Sequence, residues 1–233
     1  HIPDEEMLKK VPKSSNFDIS LYDFLKKYSL TIDDHLNLKN YCKKINIKYL
    51  CTPFSYKAAQ ELNDIGVDWF KLGSGEFLDT PFIEKIIKFN KPLILSTGMS
   101  TVKEIDFIYK FLIKKRFYKF AFMNCTSEYP PVLKDINLGF IKKMKLRYPK
   151  AIIGHSDHTN DIYTSIGAVA NGAKIIEKHV YLDGLNNGPD KDVSINFKQM
   201  TNLVKAIRDI EQASGSNKKI NNKEKIIRKW AHR

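Results

Sequence analysis

Residues 152–192 read IIGHSDHTNDIYTSIGAVANGAKIIEKHVYLDGLNNGPDKD. A short apolar run leads into Gly154-His155-Ser156-Asp157-His158. Small residues at helical spacing follow over 162–171, Gly172 stops them, and residues 173–180 form a second strand pattern. This is a βαβ unit. Neighbouring parallel strands present their carboxyl ends on one face, where α/β folds carry their chemistry. His158 and His179 stand at those two ends. They can converge on one divalent metal with positions left open for substrate, or serve as hydrogen-bonded structural residues. Side chains alternate along a strand, so Ile175, Glu177 and His179 share a face. A carboxylate and an imidazole turned out of an apolar run need a partner: a metal, a charged substrate or each other.

The alternation extends upstream. Residues 48–52, 69–72, 92–96 and 119–124 read as strands. Helices are predicted from a Thr31 cap to about residue 44, with Leu36, Tyr41 and Ile45 on its apolar face, and from a Ser55 cap to residue 62. Others open at Thr80-Pro81, with proline at the first helical position, and cover 101–115, 136–146 and 196–213. Residues 21–30 hold a short amphipathic helix, Pro12, Ser14 and Ser15 break any pattern before it, and 214–233 read as a polar linker. Six β/α units fit an open doubly wound sheet or a (β/α)8 barrel. No Gly-x-Gly-x-x-Gly follows a first strand, so the dinucleotide fingerprint is missing. Polar candidates follow every strand, which suits the single ring of loops of a barrel.

Lys71 interrupts a strand that otherwise reads as buried, and a buried ammonium needs an anionic partner or a lowered pKa. The turn after it, Gly73-Ser74-Gly75, lets backbone N–H groups approach a ligand closely. Together they suggest a phosphate or carboxylate pocket; a surface lysine before an ordinary loop would be spelled the same way. The row Asn124, Thr126, Ser127, Glu128, Tyr129 suits a substrate-lining loop or a capped turn before Pro130-Pro131. Asp190, in Gly188-Pro189-Asp190, reads as a turn residue.

With 42% hydrophobic and 28% charged residues the chain has a globular composition and enough length for one large, well-buried domain. It holds no apolar run of membrane-spanning length and no signal peptide. Three cysteines, Cys42, Cys51 and Cys125, lack metal-ligand spacing and read as reduced thiols in a cytoplasm. The formal charge of +13 raises nucleic-acid binding. The lysines are scattered over helix surfaces without interleaved aromatics, which favours attraction of small anionic substrates instead.

Six segments, CTPFS at 51–55, FKLGSGE at 70–76, NCTSEYP at 124–130, GHSDHT, IIEKHVYLD and NNGPDKDVSI, resemble the N-acetylneuraminate (sialic acid) synthase family, legionaminic acid synthases included, and in its order. The resemblance implies a (β/α)8 TIM barrel followed by an antifreeze-like domain. On that template the first two barrel strands are missing: 1–213 are a partial barrel from about the third β/α unit, and 214–233 lead towards a second domain not present. The Glu of the first family strand and the Lys-Phe-Gln of the second do not occur.

The implied activity is metal-dependent condensation of phosphoenolpyruvate with an N-acetylmannosamine-type sugar, giving a nonulosonic acid and phosphate. Thr52, Lys71, Ser74 and Ser156 would hold phosphoenolpyruvate. Glu76, Ser127, Tyr129 and Asp190 would face the sugar, although Ser127 stands where the family often has Asn. Lys71, Glu76 and Asp190 are the catalytic candidates. His158 and His179 would bind Mn2+ or Mg2+. A cytoplasmic homodimer is expected, with no nucleic-acid or membrane partner. Two other readings stand beside it: a lysine-Schiff-base aldolase using Lys71, and a basic, non-catalytic nucleic-acid-binding module.

Overall fold

A computed structural model describes residues 20–184 and 188–231. The expectations for residues 1–19, for Asn186-Asn187 and for the last two residues of the linker lie outside these. Helices α1 (Leu21–Tyr28), α2 (Ile32–Lys44) and α3 (Tyr56–Asp64) precede the sheet. The sheet then alternates with helices: β1 (Phe70–Leu72), α4 (Thr80–Ile87), β2 (Leu93–Ser96), α5 (Val102–Lys114), β3 (Phe120–Cys125), α6 (Gly139–Arg147), β4 (Ile152–Asp157), α7 (Tyr163–Ala170), β5 (Ile176–Tyr181), β6 (Ser194–Asn196) and α8 (Phe197–Ala213). Helix α9 (Asn222–Ala231) closes the chain described. Among the described residues no helix is long and apolar enough to cross a membrane.

All strand pairings are parallel and the strands lie in the order β1 to β6. A doubly wound sheet reverses direction at a switch point; this one never does. Crossovers of one hand then lay the helices on one face. The core agrees. Phe70, Leu72, Leu93, Leu95, Phe120, Phe122 and Ile153 pack against Ile83, Ile86, Ile105, Ile108, Leu112, Ile141 and Met144 of the helices. The alternate strand residues Ile94, Ala121 and Met123, with Ile175 beside them, form a separate small cluster on the other face.

That second face is concave. Lys71 of β1 and Glu177 of β5 are four strand spacings apart, about 19 Å in a flat sheet, beyond the combined reach of the two side chains. Their charged ends nevertheless stand 3.1 Å apart, so the sheet curls around them.

Several local expectations change. Residues 48–52 keep a strand's alternation, with Tyr49 and Cys51 against the core and Leu50 exposed. They make no ladder with β1, however, and are not a strand. The sixth strand is Ser194–Asn196, which pairs with β5 just before Asn196 caps α8; three residues are too few to show a pattern. Asp79 caps α4 by accepting from the Phe82 N–H at 2.9 Å, so Pro81 is the second helical residue and not the first. Residues 133–135 form a 3-10 turn and α6 starts only at Gly139. The tail is not all loop: Asn221 and Glu224 cap each other's backbone at 2.9 and 2.8 Å and start α9. That capping box was visible as Asn-Asn-Lys-Glu. Leu36, Tyr41 and Ile45 of α2, expected to face a core, are exposed, because nothing among the described residues packs over them.

Candidate active site

The carboxyl ends of the strands open onto a cavity of about 520 Å³ on the concave face. Thr52, Lys71, Ser74, Glu76, Ser127, Tyr129, Ser156, His158 and His179 all line it. Strand parity explains the gathering: Gly154 and Ser156 face inward from β4, and Glu177 and His179 face inward from β5. Asp190 is not on the lining. It stands at the rim, with Oδ2 3.7 Å from His179 Nδ1.

On one wall Lys71 is only 9% exposed and meets Glu177 Oε1. Ser74 accepts the Gly98 N–H at 3.1 Å and lies 3.7 Å from Cys125 Sγ. A β-carbon on Gly98 would collide with Ser127 Oγ and come within 2.6 Å of Ser74 Oγ, so the turn after β2 needs glycine to leave both hydroxyls in place. Burial pushes the Glu76 carboxyl up, against the backbone N–H groups and Lys71, which favour its charge. Its Oε2 is buried without a partner.

The other wall is aromatic. His158 Nδ1 lies 2.8 Å from the Thr126 carbonyl oxygen. A carbonyl only accepts, so Nδ1 carries the proton and Nε2 keeps its lone pair. Burial holds this imidazole below its ordinary pKa, in the neutral form a metal or a proton acceptor needs. The Tyr129 ring stacks on His158 at 4.1 Å, and the His158 and His179 rings are 5.4 Å apart. Burial, then Cys125, Asp190 and Glu177, raises the Tyr129 phenol to about 12. Among the described residues no ready-made group of three His, Cys, Asp or Glu side chains forms a metal cage. The two facing imidazoles of His158 and His179 could still hold a divalent cation with positions left open.

Of the lining residues, Phe54, Ser96, Met99 and Cys125 are not among the sequence candidates. Ser96 is buried at the end of β2 with an unpartnered Oγ, and no spelling distinguishes it from a core serine. Glu177, which parity along β5 turns to the same face as His179, also lines the cavity, and its partner is Lys71.

The fold and site define a parallel α/β protein in which a lysine and several hydroxyls face a histidine pair across one cavity. The chain belongs to the NeuB family, whose model matches residues 3–219. It is 37% identical to the N,N'-diacetyllegionaminic acid synthase of Campylobacter jejuni over 89% of its own length and 63% of that protein. It is 33% identical to human N-acetylneuraminate-9-phosphate synthase over 79% of its length and 51% of that enzyme. It thus spans about half to two thirds of these curated relatives. The N-acetylneuraminic acid synthetase of Leptospira borgpetersenii, solved with citrate, superposes with a TM-score of 0.83 at 30% identity, covering 91% of this chain and 75% of that one.

Proposed function

We propose that this chain carries the catalytic site of a phosphoenolpyruvate-dependent nonulosonic acid synthase. The observation that carries the reading is the single cavity in which Lys71, Ser74, Ser96 and Ser156 face His158 and His179. A triply charged donor fits the first group: Lys71 supplies charge, and the three hydroxyls and the Gly-Ser-Gly turn supply hydrogen bonds. C3 of phosphoenolpyruvate adds to the aldehyde carbon of an open-chain N-acetylmannosamine-type sugar. Water then adds at C2 and phosphate leaves. His158 and His179 would hold a divalent cation, Mn2+ or Mg2+, which supplies charge stabilisation at the aldehyde oxygen. Glu76, with its carboxyl raised towards neutrality by burial, is placed to exchange a proton on the sugar side. Tyr129 and Ser127 border the same side, and Asp190 at the rim is within reach of sugar hydroxyls.

The same reading takes the six strands as a run of a (β/α)8 barrel and residues 214–233 as its connection to a further domain, in a cytoplasmic homodimer. The test is an assay of the intact protein with phosphoenolpyruvate and either N-acetylmannosamine or a diacetamido sugar, following phosphate release and nonulosonic acid by mass. Release of phosphate coupled to sugar supports it. A borohydride-trapped adduct on Lys71 with no phosphate release would replace it with the Schiff-base aldolase reading, and tight, salt-dependent RNA binding without turnover with the binding-module reading.

A further inference from the structure

Behind the histidine pair lies a second, wholly buried constellation that the proposed chemistry does not use. Asp157 and Lys178 are register partners on β4 and β5, and both side chains point away from the cavity into the helix layer. Lys178 Nζ is 3.2 Å from Asp157 Oδ2, and the two side chains are 1% and 0% exposed. The carboxylate is saturated. Oδ1 accepts from the Thr159 N–H and hydroxyl at 2.9 Å each, and Oδ2 accepts from Thr164 at 2.7 Å and Ser165 at 2.5 Å. Lys178 also donates to the Thr159 carbonyl oxygen and, at 3.1 Å, to the Thr159 hydroxyl.

A buried ion pair is no better for stability than well-packed apolar residues of like volume, so its placement calls for another explanation. His158 sits between Asp157 and Thr159, and both are tied to the same lysine; His179 is the residue after that lysine. Alternation along the strands means that whatever clamps the outer side chains sets the aim of the inner ones.

We propose that the Asp157–Lys178 pair is a positioning device: it locks the turn after β4 to β5 and so fixes His158 relative to His179. The inference rests on the histidines being working groups of the proposed site, but the lock itself can be tested without turnover.

The experiment uses the intact protein and Lys178→Met. Should that variant fail to fold, Asp157→Asn/Lys178→Met, which leaves no unpaired buried charge, takes its place. The first readout is hydrogen exchange of the His158 Nδ1–H by 15N-imidazole NMR. It is expected to speed up at least tenfold in a variant that still unfolds cooperatively. The second is steady-state kinetics: kcat is expected to fall ten- to a hundredfold. Unchanged imidazole exchange in a folded variant overturns the proposal whatever the kinetics do. Faster exchange in a protein whose wild type shows no synthase activity supports the lock and overturns the functional reading instead.

Discussion

Lys71 and Glu177 stand on strands four places apart in the sheet, yet their charged ends meet at 3.1 Å across its concave face. The contact spans the cavity from the lysine side to the histidine side. It leaves Glu177 Oε2 without a hydrogen-bond partner.

Replacing Lys71 with Met keeps most of the apolar stem and removes the charge. The lost contact is a charge-assisted one, worth roughly 1.5 to 3 kcal/mol, so donor kcat/KM should fall about ten- to a hundredfold. Sugar KM should change little. Kinetics with each substrate varied in turn, alongside circular dichroism, checks this; donor kinetics equal to wild type in a folded variant would remove Lys71 from the donor site.

Rigorous chelation should abolish turnover of the intact protein, and Mn2+ or Mg2+ should restore it. The motive is the neutral, Nδ1-anchored imidazole of His158 opposite His179. His158→Ala and His179→Ala should each also weaken Mn2+ binding measured by electron paramagnetic resonance. Turnover that survives chelation would end the metal reading.

Gly154→Ala tests the packing of the concave face. The new β-carbon would collide with Met123 Sδ and lie 2.8 Å from the Ile175 carbonyl oxygen, which belongs to the backbone and cannot step aside. Overpacking of this kind costs about 1–3 kcal/mol. Urea denaturation should show a lower midpoint with an unchanged slope; a midpoint equal to wild type would mean that β4 and β5 part more easily than their pairing implies.

His155 makes the fold sensitive to mild acid. It is buried beside Asn124, with Nδ1 3.0 Å from the Asn124 carbonyl oxygen and Nε2 unpartnered, and burial holds its pKa below the ordinary 6.5. The unfolded chain therefore takes up a proton near pH 6.5 that the folded chain refuses, and stability is lost as the pH falls below that value. Between pH 7.5 and 5.5 this one group removes up to about 1.4 kcal/mol; His158 acts in the same direction. His155→Gln should flatten the dependence of the melting temperature on pH over that window. An identical slope in the variant would show that His155 does not contribute to it.

Much of this molecule is local and could be read from its spelling. The caps at Thr31, Ser55, Thr101 and Asn196 act within three residues of themselves. Parity along residues 173–180 put Glu177 and His179 on one face before any fold was known. What sequence could not decide was which segments pair. Residues 48–52 are strand-like and 194–196 are too few to show a pattern, but a strand exists only where a neighbour completes its ladder, and the neighbour is there for the second and not the first. Nor could it decide the distances across the sheet. The meeting of Lys71 with Glu177, the buried hydroxyl of Ser96 and the Asp157–Lys178 lock all depend on curvature and register, which arise from packing between residues far apart in the chain. Spelling set which groups face inward; only the curl of the sheet brought them within reach of one another.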